Sequence, residues 1–128
     1  MRETFVLSSG RVCRVDNPGL PLLSNYHVLY FPGRQGSPSE AEVEEMVVLA
    51  RRVARRLGAH LHGDPECYSV LYNGARTRRR PWVHFHLLPA GSVCAKRWAL
   101  LCLNTKRWLK LAAELRARIP SLAPRSSP

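Results

Sequence analysis

Apolar positions come in short β-prone runs over the first quarter of the chain, at three- and four-residue spacing in the middle, in alternation from Trp82 to Leu87, and at helical spacing again toward the end. Side chains repeat every two residues along a strand and every 3.6 along a helix, so these changes of period mark the elements. Thr4 to Leu7 and Arg11 to Val15 are β-prone runs on either side of Ser8-Ser9-Gly10, a hairpin signal. A Pro- and Gly-bearing loop from Asp16 to Pro21 precedes a third strand, Tyr26 to Phe31, which stops at Pro32-Gly33. Cys67 to Tyr72 is expected as a fourth strand, Asn73-Gly74 as a turn, and Trp82 to Pro89 as a fifth strand.

Between the third and fourth strands, Val43, Met46, Val47, Ala50, Val53, Ala54 and Leu57 form one apolar stripe at helical spacing. Ser37-Pro38-Ser39-Glu40 supplies its start, with Ser37 as N-cap, Pro38 at the first helical position and Glu40 returning the capping bond. Gly58 marks its expected end. Glutamates 40, 42, 44 and 45 fill the first turns and arginines 51, 52, 55 and 56 the last, an order that complements the helix dipole. After Pro89-Ala90-Gly91 a second helix is expected. Its stripe of Trp108, Leu111, Ala112, Leu115 and Ile119 ends at Pro120 and is assigned to packing, with a basic outer face. Lys96-Arg97-Trp98 recurs as Lys106-Arg107-Trp108, too short a match to make a repeat.

This order predicts an α+β fold: a five-stranded antiparallel sheet with two main helices segregated to one side. At 128 residues the chain suits one domain, 1–120, followed by a flexible Pro/Ser-rich tail, 121–128. Twenty Lys and Arg against nine Asp and Glu give a formal charge of +11, which attracts polyanions and names a partner class without naming a reaction. Cys13, Cys67, Cys94 and Cys102 make no C-x-x-C pair and read as small buried hydrophobes. No apolar run approaches the roughly 20 residues of a membrane span and the N-terminus lacks a signal-peptide core, so a cytoplasmic protein without a membrane partner is expected.

The chemistry-bearing segment is Trp82-Val83-His84-Phe85-His86-Leu87-Leu88-Pro89. Alternation places Trp82, His84 and His86 on one face and Val83, Phe85 and Leu87 on the other. Two imidazoles on a rigid strand can hold a metal, bind phosphate, or act as a nucleophile with its helper. A zinc site would combine them with His60-x-His62. Those two follow the end of the long helix, however, and nothing in the sequence brings them to the fifth strand. No metal or other cofactor is therefore assigned.

An alternating histidine strand that ends in two aliphatics and a proline, after an Asn-Gly turn and a capped helix, resembles the histidine-triad superfamily of nucleotide hydrolases and transferases. The resemblance covers about Tyr26 to Ala90. The family signature is His-φ-His-φ-His-φ-φ, where φ is apolar. Leu87-Leu88-Pro89 sets the register, so that Trp82 stands at the first histidine, His84 at the nucleophile and His86 at the third. Asn25 to Pro32 is similar to the family's Gly-His-φ-φ-φ-φ-Pro strand, whose histidine, here His27, lies near the active site.

The resemblance implies attack by His84 on an α-phosphorus, with a nucleotidyl-histidine that water resolves, while His86 holds the phosphate and assists proton transfer. It also implies a homodimer paired through the sheet. The chain departs from the pattern before the histidine strand, where the family carries a Gly-Gln-Ser-type phosphate cradle and this chain has Ala75-Arg76-Thr77-Arg78-Arg79-Arg80-Pro81. Arg78 and Arg80 are expected to bind phosphate in its place, with His27, Asn73 and Trp82 completing the nucleotide site. The expected partner is a nucleotide or nucleotidylated small molecule. The alternative is an inactive module that binds nucleic acid or polyphosphate through the arginine loop.

Overall fold

In a computed structural model the chain is described over residues 2–20, 23–33, 35–78 and 80–118, with 106–111 as helix backbone. The hairpin is formed by β1 (Arg2–Val6) and β2 (Val12–Asp16), and Gly10 takes the left-handed conformation that its turn requires (φ 86°). β3 (His27–Tyr30), α1 (Glu40–His62), β4 (Tyr68–Tyr72), β5 (His84–Pro89) and α2 (Val93–Arg118) follow. All four strand pairings are antiparallel, in the order β1-β2-β3-β5-β4. The α+β architecture predicted from the period changes is present. The chain leaves β3, crosses one face as α1 and returns as β4 on the far side of β5.

Register sorts the side chains of β5. Phe85 and Leu87 oppose Leu29 and His27 of β3, whereas His84 and His86 oppose Tyr30 and Val28. The first set packs against α1 in the main core, where Val15, Leu29, Met46, Ala50, Val53, Ala54, Phe85 and Leu87 are almost wholly buried. On the opposite face Leu88, Tyr26 and Ala99 form a second cluster with Leu71, Leu100 and Leu103. The two helices therefore lie on opposite faces, not on one side as their sequence order suggested. β5 is apolar on both sides at its C-terminal end, and Leu88 gives α2 something to cover.

α1 begins two residues later than expected. Ser39 is the N-cap, its Oγ accepting from Glu42 N (3.2 Å) while Glu42 accepts from Ser39 N (3.0 Å). Both Ser37/Glu40 and Ser39/Glu42 fit the capping pattern. The second pair is favoured because Glu42 also accepts from Ser9 Oγ (3.0 Å) and meets Arg11 (3.4 Å), which ties the helix to the hairpin. α1 also runs through Gly58 to His62, and Gly63, in the left-handed conformation (φ 72°), caps it. Gly58 serves a close approach instead of a stop: a Cβ there would stand 2.8 Å from the Cys67 carbonyl oxygen, where the chain enters β4. The basic end of α1 is used structurally, since Arg55 pairs with Glu66, Arg56 with Glu3, and Arg51 donates to Tyr68 Oη (3.2 Å).

α2 corrects its expectation most. Ser92 caps it by accepting from Ala95 N (3.1 Å), and it packs on the sheet through Ala99 and Cys102. Ala112 and Leu115, assigned to packing, are exposed. The side chains of Trp108 and Leu111, and the whole of Ile119, Pro120 and the expected tail 121–128, lie outside the described residues. Cys13 and Cys102 are buried as expected and Cys67 is half-buried, but Cys94 is exposed at the start of α2. Among the described residues no helix is long and apolar enough to cross a membrane.

Candidate active site

A cavity of about 590 Å³ opens on the α2 face of the sheet, lined by His84 and His86 from β5, Tyr26 and Val28 from the third strand segment, and Leu71 from β4. Asn73, Thr77, Arg80 and Trp82 come from the β4–β5 loop, Pro18 and Leu20 from the loop after β2, and Leu100, Leu103 and Asn104 from α2. Five of the seven expected site residues thus gather in one place: His84, His86, Asn73, Arg80 and Trp82.

Each imidazole is set by a fixed partner. His84 is buried, and its Nδ1 lies 3.0 Å from the Trp82 carbonyl oxygen. A carbonyl only accepts, so Nδ1 carries a proton, and in the neutral ring it is Nε2 that has the lone pair. His86 is held through Nδ1 by the Tyr26 hydroxyl, with the two rings stacked at 5.7 Å. Burial pushes the Tyr26 pKa up to about 12, so the phenol keeps its proton. Donation of that proton to His86 Nδ1 satisfies the buried hydroxyl and places the imidazole proton on Nε2. Burial, and then the neighbouring His84, pull the His86 pKa down to about 4, so it is neutral near pH 7. The two rings meet edge to face at 4.8 Å. With both rings neutral, this arrangement presents one Nε2 lone pair beside one Nε2–H, a nucleophile or acceptor next to a hydrogen-bond donor.

Trp82 stands outside β5. The register that pairs Tyr30 with His84 would set Trp82 against Pro32, which has no N–H to give the ladder. Its indole leans on both Tyr30 (5.7 Å) and His84 (4.7 Å) and is part exposed. It forms a wall between the histidine cavity and a second one of about 470 Å³ that includes Arg2, Asp16, Asn17 and Tyr30. There Asp16 accepts from Arg2 Nε (2.9 Å) and from the Tyr30 hydroxyl. Burial works to raise the Asp16 pKa, but those two hydrogen bonds and the charges of Arg2 and Arg14 outweigh it and hold the carboxyl below its usual range.

Two expected site residues fall elsewhere. His27 opposes Leu87, so it points to the α1 face, where it is buried with Nδ1 donating to the Asn25 carbonyl oxygen (2.7 Å). Burial lowers its pKa, and the sheet separates it from His84 and His86. Arg78 is absent from the cavity wall and its Nε is buried with no hydrogen-bond partner among the described residues. His60 and His62 end α1 on the exposed surface, with His62 beside Gly91 and away from the cavity. Among the described residues no three His, Cys, Asp or Glu gather as a metal site.

The structure adds residues that the sequence did not single out. Tyr26 was legible in principle, because antiparallel pairing of the third and fifth strands puts Tyr26, Val28 and Tyr30 on the face of His84 and His86, one residue out of step with His27. Thr77 enters through the turn in which Thr77 N and Arg78 N both donate to the Gly74 carbonyl oxygen (3.0 and 3.1 Å). Comparison of the chain with protein-family models, with curated proteins and with solved structures gives no match. The arrangement of side chains therefore carries the functional argument alone.

Proposed function

We propose that this chain is a divergent protein of histidine-triad type that cleaves a phosphoanhydride or phosphoramidate bond of a nucleotide through a nucleotidyl-histidine on His84. One observation carries the reading: His84 Nδ1 is committed to the Trp82 carbonyl, which leaves Nε2 as the nitrogen available to the cavity. In the proposed step the Nε2 lone pair forms a bond to the α-phosphorus as the bond to the leaving group breaks. A phosphate leaving group departs with its electron pair as an anion, beside the guanidinium of Arg80; an amine takes its proton from solvent. Water then attacks phosphorus, losing a proton to solvent, the P–N bond breaks, and nucleoside monophosphate is released. His86 acts through its Nε2–H on a phosphate oxygen, since a neutral imidazole with a pKa near 4 is a hydrogen-bond donor and a poor source of protons. Thr77 and Asn73 supply further polar contacts in place of the Gln and Ser of the family's cradle. The four unpaired cysteines suit a reducing cytoplasm, the compartment we propose.

The deciding experiment is rapid quenching after exposure to a panel of nucleotides labelled at the α-phosphate. The expected result is acid-labile label on His84, absent in His84→Asn, with monophosphate released by the wild type. The charge of +11 and the exposed Arg76 and Arg80 favour a second reading, a non-catalytic module for nucleic acid or polyphosphate. Absence of label across the panel, together with nucleic-acid binding that weakens steeply with salt, would select that reading and reject the first.

A further inference from the structure

The two cavities on the α2 face of the sheet share Pro18, Val28 and Trp82 as walls, so they are neighbouring compartments of one cleft. Trp82 is the partition. Its indole meets His84 on one side (4.7 Å between ring centres) and Tyr30 on the other (5.7 Å), which sets the smaller cavity one indole away from the proposed nucleophile. The proposed reaction takes place in the larger cavity and gives the smaller one no role.

Strand register sets the chemistry of the smaller cavity. Arg2 opposes Asp16 and Arg14 opposes Tyr30, and alternation puts all four on the face of His84 and His86. Asp16 accepts from Arg2 Nε (2.9 Å) on one oxygen and from the Tyr30 hydroxyl on the other, so both oxygens are engaged. Nε is the one nitrogen of Arg2 that a described residue takes up. With 70% of that side chain exposed, the outer N–H groups of its guanidinium are left to a ligand. Arg14 stands beside the wall, makes no ion pair among the described residues and has its Nε buried without an acceptor. Its charge bears on both Asp16 and Tyr30. Two guanidinium groups thus stand against one carboxylate.

Such a compartment sorts ligands by charge. A protonated amine meets Arg2 and Arg14 and finds Asp16 already satisfied. A nucleobase edge finds no free amide, because Asn17 spends its side chain on the Ser24 carbonyl oxygen (2.6 Å) and on Gly19 N (2.8 Å). An anion finds guanidinium donors in the planar fork that matches phosphate oxygens. We propose that the cavity of Arg2 and Asp16 is an anion subsite for the leaving group, so that the substrate is a nucleotide with a phosphate beyond the α and the bond cleaved is a phosphoanhydride. This rests on the reaction proposed for His84. As the bond from His84 Nε2 to the α-phosphorus forms, the bond from that phosphorus to the bridging oxygen breaks. The electron pair leaves with the oxygen beside Arg80, and the far end of the anion rests on Arg2.

Calorimetry of the full-length His84→Asn protein with inorganic pyrophosphate tests the subsite without turnover. One pyrophosphate should bind per chain. Arg2→Ala in that background should raise the dissociation constant at least about tenfold, the loss of a charge-assisted contact. Arg52→Ala, at an exposed position of α1, should change it by less than about twofold. The Arg2 side chain is largely exposed, so melting of its variant should show an intact fold. Absence of binding overturns the proposal. So does equal weakening by the two substitutions, which is what the overall charge of +11 would give. With His84 intact, Arg2→Ala should lower the ratio of kcat/KM for a nucleoside diphosphate to that for a nucleoside phosphoramidate at least about tenfold. An unchanged ratio removes the subsite and leaves the reaction on His84 standing. Pyrophosphate held by Arg2 in a protein whose His84 takes no label removes the reaction and the leaving-group role together.

Discussion

On the α1 side of the sheet, Phe85 and Leu87 are shut in with Leu29, Val15 and a row of helix side chains from Met46 to Leu57. One residue out of step, on the other side of the same strand, His84 and His86 border an open cavity that α2 closes only in part, with Leu100, Leu103 and Asn104. The two faces share a backbone and differ in their cover. Twenty-three residues of α1 lie across one, while α2 reaches the other through a short apolar stripe. The closed face supplies stability, the open one is where we propose the chemistry, and alternation along β5 lets six residues serve both. His27 shows the rule by exception. It is a histidine on the closed face, and there it becomes a satisfied core residue with its Nδ1 proton spent on Asn25.

The sharpest way to break this comparison is to exchange damage between faces. On the open face His84→Asn keeps the ring's approximate volume and removes the proposed nucleophile. Turnover should fall at least about 10³-fold, some 4 kcal/mol of barrier, while the unfolding free energy moves by less than about 1 kcal/mol. One residue along, Phe85→Ala should destabilise by about 3–5 kcal/mol in denaturant unfolding, because the side chain is among the largest fully buried ones and stacks on Tyr72 at 4.8 Å. If His84→Asn unfolds the protein, or Phe85→Ala leaves it stable, the division of labour between faces is wrong.

A smaller effect tests the cover of the closed face. Gly58→Ala favours an isolated helix, yet here the new Cβ meets the Cys67 carbonyl oxygen at 2.8 Å and the Asp64 carbonyl oxygen at 3.0 Å. Both contacts are backbone, so the helix has to move away from β4. A loss of about 1–3 kcal/mol is expected in thermal or chemical unfolding, against a gain of about 1 kcal/mol if the glycine were only a helix breaker.

Much of this fold was legible because its elements are locally consistent. β-prone runs and turn signals found all five strands, and the apolar stripe from Val43 to Leu57 found α1 and most of the face it buries, although Val47 turns out exposed and Leu49 is buried in its place. What failed was decided by partners distant in the chain. Two capping pairs fitted the start of α1, and Ser9 and Arg11 of the hairpin selected between them. Gly58 resembled a stop until the return of β4 explained it. The site divided in the same way. His84 and His86 follow from alternation within one strand, whereas the face of His27 depends on pairing with Leu87, and a one-residue change of register exchanges His27 for Tyr26. The stripe expected on α2 was drawn through Ala112 and Leu115, which are exposed, whereas the part of the helix that meets the sheet is the earlier turn at Ala99 and Cys102.

The last predicted effect reads the open face directly through acid. His86 has its pKa lowered from 6.5 to about 4, chiefly by burial and next by His84. Between those values the unfolded chain binds a proton that the folded one refuses. Its contribution to stability is therefore complete above pH 6.5, falls as the pH drops from 6.5 to about 4, and falls no further below that. With solvent at the cavity mouth discounted, the loss should be about 2 kcal/mol. Tyr26→Phe should keep this acid dependence, since burial remains, but it leaves His86 Nδ1 without its donor at a cost of about 1 kcal/mol at neutral pH. The same variant frees the tautomer: ¹⁵N chemical shifts of His86 should report a protonated Nε2 in the wild type and a mixture in Tyr26→Phe. His27 supplies the control, because its proton is held by the Asn25 carbonyl on the closed face and should stay on Nδ1 in both proteins. A wild-type His86 that titrates near 6.5, or a tautomer indifferent to Tyr26, would mean that the open face does not set its imidazoles for chemistry at all.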